Sequence, residues 1–461
     1  MFNISDTICA ICTPKGTGAI SAIRISGNDS WEIAKKIFSP TQSSILNPQS
    51  SFEHMHALRG YIKDNDKLID EVIILPFKSP KSFTAEDTIE IFCHGGLQVT
   101  SQILDLCLKN GARQAKQGEF TFRAFINGRI DLTEAEAINE IISANNEKAV
   151  SVASEVLSGS LKKKVSQFRE KLFDLITSIE SSIEFPMDIA DTNKTETVSN
   201  LNEIKLEVNK LIESSKEGQI IRDGIKVSII GPPNAGKSSL LNQLLESERA
   251  IVSEEPGTTR DTIEEKMIID GWTVVLIDTA GIREKRDMSD SEKHGIERSK
   301  STIQKSDIVL AVFDLTNDKN KTEQFSSLLT DKLKIVIGNK IDLVNEKSIS
   351  KNGYDVLISV KNGANIDKLK KLLIEKFRLI FSTQSSILNP QSCYVNQRQK
   401  ELLIQCNHAI ENSISLVNKN ISEDLISDEL KNAVSKLDEI SGRAVSDEII
   451  KNIFAKFCIG K

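Results

Sequence analysis

Five short motifs in the middle of the chain carry residue types suited to holding phosphate, a divalent cation and a purine. The stretch GPPNAGKS at 231–238 fits G-x-x-x-x-G-K-[ST], after the apolar run of Val227, Ile229 and Ile230 and before the helix-like SSLLNQLL. In such a strand, glycine loop and helix, backbone N–H groups and the helix N-terminus wrap phosphates. Lys237 then reaches the outer phosphates and the Ser238 hydroxyl ligates Mg²⁺. Asn234, Ala235, Gly236 and Ser239 belong to the same expected GTP-binding loop. PGTTRD at 256–261 supplies Thr259, whose hydroxyl suits Mg²⁺ in a loop that orders around a γ-phosphate. VVLIDTAG at 274–281 supplies Asp278, which can hold the ion through water, and the Gly281 N–H, which can sense that phosphate. Ser253, Glu254, Glu255, Pro256, Gly257 and Thr258, with Thr279 and Ala280, complete these two expected nucleotide-contacting loops. IVIGNKID at 335–342 gives Asn339, Lys340 and Asp342, which can read a guanine edge. The carboxylate accepts from two ring N–H groups where adenine presents a mismatch, and Ser359, Val360 and Lys361 lend backbone support to the same base. Five elements in this order between residues 231 and 363 predict a GTPase domain.

One part is missing. Ras-type GTPases place a water-orienting glutamine after the Asp-x-x-Gly, and here Ile282 stands in that place. Help must come from elsewhere, and Glu284, Asp287, Asp290 and Glu292 follow in a polar segment. Asn234 offers a side-chain carbonyl that can help hold a monovalent cation such as K⁺ against the β- and γ-phosphates. Backbone oxygens of Ser253 and Glu255, with Thr258, can complete its shell.

These motifs need elements to position them, and 461 residues are enough for about three domains. Residues 1–120 mix strand-like runs (19–25, 71–75, 88–92) with helical ones (31–38, 97–109), which reads as an α+β domain. Within it, IEIFCHGG brings Glu90, His94, Gly95 and Gly96 together at the end of a strand. From Asp131 a long stretch has 3.6-residue apolar spacing, with Thr133 and Glu136 as a capping box. A second helical stretch is expected over 198–214, with Gly218 and Gly224 marking the boundary before the phosphate loop. Helical periodicity returns from about Asn396 almost to Lys461. The expected organisation is therefore multidomain, α+β and α/β. It comprises an N-terminal domain over 1–120, a helical domain over 121–217 and 383–461, and a Ras-like P-loop GTPase domain inserted at 218–382.

Composition narrows the function class. A net charge of −6 with only 5% aromatics argues against a protein that coats nucleic acid nonspecifically, though a local basic site stays open. No basic n-region leads an apolar core at the start and no long apolar run follows, so the expectation is a cytoplasmic protein without a membrane. The seven scattered cysteines indicate neither a disulfide framework nor a zinc site. Cys9 and Cys12 form one C-x-x-C in an apolar strand-like segment and read as buried small residues. TQSSILNPQS occurs at both 41–50 and 383–392 and reads as a tolerated surface insertion.

The order of these elements, GEFTFRAFINGRIDLTEAEAI at 118–138 and the terminal FCIGK at 457–461 resemble the tRNA modification GTPase MnmE (TrmE) family over essentially the whole chain. The resemblance implies an N-terminal domain that dimerises and binds a tetrahydrofolate derivative, 5-formyl or 5,10-methylene, as one-carbon source. It also implies action with the FAD protein MnmG (GidA) on the wobble uridine of certain tRNAs, adding an aminomethyl or carboxymethylaminomethyl group at C5. Carried over by motif, the folate contacts are Arg24 in IRISG, Glu90 in IEIFCHGG, Arg129 in INGRIDL, where the family usually has lysine, and Lys461. Glu292 in EKHGIER matches the catalytic glutamate and Cys458 the functional terminal cysteine, while Asn234 takes the K⁺ role. The competing reading is a regulatory GTPase that switches binding to ribosomal RNA or a membrane, with no modification chemistry of its own.

Overall fold

The computed structural model describes residues 4–41, 53–184, 194–247, 265–277, 302–316, 332–344, 353–381 and 393–461. They divide into two compact units. One comprises Met1–Ile142, Val156–Lys205 and Leu402–Lys461, and the other Ser143–Glu155 and Leu206–Glu401.

The first unit opens with β1 (Ile8–Ile11), β2 (Ile20–Ser26), α1 (Ser30–Ile37), β3 (Phe38–Pro40), β4 (Leu58–Asp64), β5 (Lys67–Phe77), β6 (Thr88–His94), α2 (Leu97–Lys109) and β7 (Arg113–Gln114). The strands form a sheet in the order β3-β4-β5-β6-β2-β1-β7. Alternation decides its faces. Ile23 and Ile25 of β2 and Ile89 and Ile91 of β6 join Ile33, Ile37 and Ile103 of α1 and α2 in one buried core. The intervening Arg24 and Glu90 are direct partners across the β2–β6 ladder and so share the opposite face.

Next come α3 (Glu119–Ile126), α4 (Leu132–Ser143), α5 (Glu147–Leu157), α6 (Ser160–Glu184) and α7 (Lys194–Asp223). The stretch expected to be long helix from Asp131 is thus divided, at 144–146 and at Gly159. The capping box also lies two residues earlier than the sequence suggested. Asp131 Oδ1 accepts from the Glu134 N–H at 2.9 Å and Glu134 Oε2 accepts from the Asp131 N–H at 2.7 Å, so Thr133 and Glu136 are interior to α4. α7 runs straight through Gly218, the expected boundary, because Tyr394 packs there and an added Cβ would lie 3.1 Å from the tyrosine Cβ. The helix stops before Gly224, whose φ of +95° ends it.

After the second unit the chain forms α10 (Gln397–Asn418), α11 (Glu423–Ser441) and α12 (Asp447–Phe454). α6 lays Leu161, Val165, Phe168, Leu172, Ile176 and Ile179 on one buried stripe, and α11 answers with Ile426, Leu430, Ala433, Leu437 and Ile440.

The second unit holds β8 (Ile225–Ile230), α8 (Lys237–Ser247), β9 (Glu265–Ile269), β10 (Trp272–Ile277), β11 (Ile308–Asp314), β12 (Leu333–Asn339), β13 (Val356–Leu357) and α9 (Ile366–Phe381). Its sheet order is β13-β12-β11-β8-β10-β9, parallel except for β9. β11, IVLAVFD, is buried at every position, as a central parallel strand covered on both faces must be. Order and direction place the loops after β8, β11 and β12 at one edge of the sheet, the carboxyl ends where α/β proteins bind ligands.

Candidate functional site

β8 ends at Ile230 and α8 begins at Lys237, so residues 231–236 form the loop between a buried strand and a helix N-terminus. Lys237 Nζ donates to the carbonyls of Gly231 at 2.9 Å and Pro232 at 2.7 Å, lying across the loop, and its burial lowers its pKa. A buried ammonium on two carbonyls, beside the open N–H groups of a helix start, is a seat for phosphate. Ser238 is exposed on the first turn of α8, where its hydroxyl fits the requirement of a Mg²⁺ ligand.

The purine-reading loop is fastened to this phosphate loop by Asn339. The residue is buried, donates from Nδ2 to the Ala235 carbonyl at 2.9 Å and accepts at Oδ1 from the Val360 N–H at 3.2 Å. Both ends of the amide are engaged with protein, so Asn339 joins the loops at 235, 339 and 360. Gly236 is required at this junction. Its φ is +98° and an added Cβ would stand 2.2 Å from Asn339 Nδ2. Asp342 is exposed and accepts from Ser359 Oγ at 2.6 Å, which orients its carboxylate, and Lys361 is exposed on the adjoining turn. Ser253, Glu254, Glu255, Pro256, Gly257, Thr258 and Thr259 lie outside the described residues. So do Asp278, Thr279, Ala280, Gly281 and Glu292, with Glu284, Asp287 and Asp290, and the repeated segment beyond Thr41.

Two residues here carried no sequence signal that was used. Asp314 ends β11 and holds Lys340; an acid closing an otherwise apolar strand was the available clue. Asn146, in the turn before α5, is buried and donates to the Ile221 carbonyl at 3.1 Å and to Thr273 Oγ1 at 2.8 Å, while accepting from the Ala149 N–H at 2.7 Å. That residue ties α5 and α7 to β10, the strand that leads into Asp278.

A second constellation lies in the first unit. Arg24 Nε and Nη2 donate to Glu90 Oε1 at 2.9 and 2.8 Å, and the guanidinium sits 4.4 Å from the centre of the Phe83 ring. Arg129 reaches the same ring at 5.0 Å and donates to the Phe83 carbonyl at 2.9 Å. Burial, then the nearby positive Arg24, depress the Arg129 pKa. The chain terminus arrives here too. The Phe120 N–H donates to Lys461 O at 3.2 Å, the Gly118 N–H to the Cys458 carbonyl at 3.4 Å, and Gly460 packs against Ile11 and Cys12. Burial raises the Cys12 pKa, offset by Arg24 and Lys461 and reinforced by Glu90. Residues 24, 90, 129 and 461 therefore converge, around Phe83 and Phe120, which sequence reading did not single out. Arg24 Nη1 is buried with no hydrogen-bond partner. An unmet cationic donor beside an aromatic ring fits a flat anionic ligand such as a folate. Cys458 is exposed.

A phosphate loop on a central parallel strand, bolted to an Asn-Lys-x-Asp loop, defines a guanine-nucleotide-binding unit of the P-loop class. The rest of the chain makes the assignment specific. The model for the MnmE helical domain matches residues 132–458, and that for the GTP-binding protein TrmE N-terminus matches residues 7–129. The tRNA modification GTPases MnmE of Moorella thermoacetica and Thermotoga petrophila are each 39% identical, covering 99% of this chain and 100% of the relative. The chain belongs to the MnmE family of tRNA modification GTPases. Among solved structures, the G domain of the Thermotoga maritima FeoB iron transporter is 25% identical, covers 33% of this chain and 98% of its own, and has a TM-score of 0.26. Among the described residues no helix is long and apolar enough to cross a membrane.

Proposed function

We propose that this GTP hydrolase drives modification at C5 of the wobble uridine of tRNA, adding an aminomethyl or carboxymethylaminomethyl group together with an FAD-containing MnmG-type partner. A tetrahydrofolate derivative, 5-formyl or 5,10-methylene, supplies the one-carbon unit when bound in the N-terminal unit. Arg24, Arg129 and Lys461 provide cationic partners for its carboxylates, and Glu90 accepts from its heterocycle. The observation that carries this reading is the buried Arg24–Glu90 pair with its unpartnered Nη1. A pure nucleotide switch, acting on ribosomal RNA or a membrane, would have no use for it.

In the nucleotide site, the loop N–H groups and Lys237 bind phosphate, Ser238 and Thr259 hold Mg²⁺, and Asp342 selects guanine. With Ile282 in place of a glutamine, Glu292 takes the task of orienting water. K⁺, held by Asn234 with Ser253, Glu255 and Thr258, supplies positive charge at the transferring phosphoryl. Turnover accordingly falls when Na⁺ replaces K⁺ at equal ionic strength. The open face of the N-terminal sheet supports a homodimer, because it carries exposed Ile20 and Ile73 and half-buried Phe92 next to Arg24 and Glu90. Location is cytoplasmic.

The test is the modified-nucleoside profile of tRNA from cells lacking the protein, complemented with wild type, Arg24→Ala or Lys237→Ala. Wild type restores the C5-modified wobble uridine and neither variant does. Normal nucleosides without the protein would sink the reading in favour of a switch.

A further inference from the structure

Asp314 is an acid at the end of a strand whose other residues are all apolar, and it is 7% exposed. Burying a carboxylate is unfavourable unless donors meet it. Both oxygens are met. Oδ1 accepts from the Thr316 N–H at 2.9 Å and Thr316 Oγ1 at 2.7 Å, and Oδ2 accepts from Lys340 Nζ at 2.5 Å. Burial alone would raise its pKa, but these donors hold it below the usual carboxylate range. Register explains the meeting, since Asp314 pairs with Asn339 across the β11–β12 ladder and Lys340 is the next residue. The Lys340 backbone is left-handed, at φ +69°, a conformation uncommon for a side-chain-bearing residue. Its side chain is therefore fixed at both ends, by its own backbone and by Asp314, beside the Asp342 carboxylate that Ser359 orients.

We propose that Asp314 is a positioning residue for guanine recognition: by holding Lys340 Nζ it stretches the lysine stem into an apolar ledge on which the purine rests while Asp342 reads its edge. The proposal rests on the guanine-nucleotide reading above and adds a residue outside every nucleotide motif. Removing the charge leaves the ammonium free to swing and the ledge to disorder. The ion pair is charge-assisted and nearly buried, so the loss is about 10- to 100-fold in affinity.

The test is a double-mutant cycle read by dissociation of fluorescent GDP and by steady-state GTP kinetics, in wild type, Asp314→Asn, Lys340→Ala and the double variant. Asp314→Asn speeds dissociation and raises KM for GTP about tenfold with little change in kcat, and adds nothing further in the Lys340→Ala background. Equal effects in both backgrounds, or none in either, would overturn the proposal. If Asp314→Asn fails to fold, Thr316→Ala serves, since it keeps the charge and removes one donor to Oδ1. It speeds dissociation about threefold in wild type and leaves Lys340→Ala unchanged, and a threefold effect in both overturns the idea. Wild type that binds no GDP would defeat the nucleotide reading itself, a distinct outcome.

Discussion

The nucleotide loops of the second unit and the cationic pocket of the first are built on opposite principles. The former is contiguous in sequence and works largely through main chain: a helix start, loop N–H groups, and one asparagine joining residues 235 and 360. The latter is assembled from side chains at 24, 90, 129 and 461, brought together by a strand register and a docked chain end. Backbone geometry demands glycine and small polar residues at fixed spacing, and so writes itself into a motif. Side-chain pockets demand only that distant positions meet, which leaves no local trace.

The largest expected effect breaks the first principle without touching the second. Gly236→Ala forces a Cβ into Asn339 Nδ2 at a position already left-handed. GTP affinity should fall at least about 100-fold, as expected when a buried amide and the loop it fastens are displaced. Folate binding, measured by calorimetry, should be unchanged.

The converse is Arg24→Ala. It removes the donors to Glu90 and the cation above Phe83, leaving a carboxylate half-buried and unpaired. Folate affinity should drop about 10- to 100-fold, the usual scale for hydrogen bonds to charged groups, while GTP turnover stays at the wild-type rate. A matching loss of turnover would mean the two regions are not separable.

A smaller effect concerns a residue outside both motifs. Asn146→Ala strands the Ile221 carbonyl and the Ala149 N–H in a buried place. The second unit should lose about 1–3 kcal/mol of stability, read by the fluorescence of Trp272, which packs in that unit's core. The core around α1 and α2 should exchange its amide hydrogens as before.

The least perturbing probe is thiol chemistry near neutral pH. Cys458 is exposed and should be alkylated readily, whereas Cys9, Cys93, Cys107, Cys393 and Cys406 are buried. Burial pushes Cys9 and Cys406 up to about 12 and Cys93 to about 11, so almost none of their thiolate exists at pH 8. Mass spectrometry after brief labelling should find the adduct at Cys458, with those five modified only after unfolding. Rapid labelling of Cys9 in the native protein would contradict the docking of β1 in the core.

How much of this was legible in the sequence follows the same division. The apolar period over 97–109 matched α2 residue for residue, and alternation in β2 and β6 placed those strands within about two residues. The phosphate loop was found where its motif stood. Local pattern failed where packing intervened. Gly218 looked like a breaker, yet it is there to admit Tyr394 against a continuous helix. Asp131 outcompeted Thr133 as a cap because the helix starts one residue after it. Asn339 looked like a base reader and is a buried fastener, since its amide reaches the phosphate loop first. Phe83, Phe120, Asn146 and Asp314 gave no usable signal, because each acts through residues far away in the chain.

The central claim is that one chain carries a folate pocket and a guanine-nucleotide site that bind independently. Calorimetric titration of the nucleotide-free protein with 5-formyltetrahydrofolate tests it most directly, run on wild type, Lys237→Ala and Arg24→Ala. Folate should bind wild type and Lys237→Ala alike and Arg24→Ala weakly. Wild type that binds GTP tightly but no folate, or a Lys237→Ala protein that loses folate along with GTP, would contradict it.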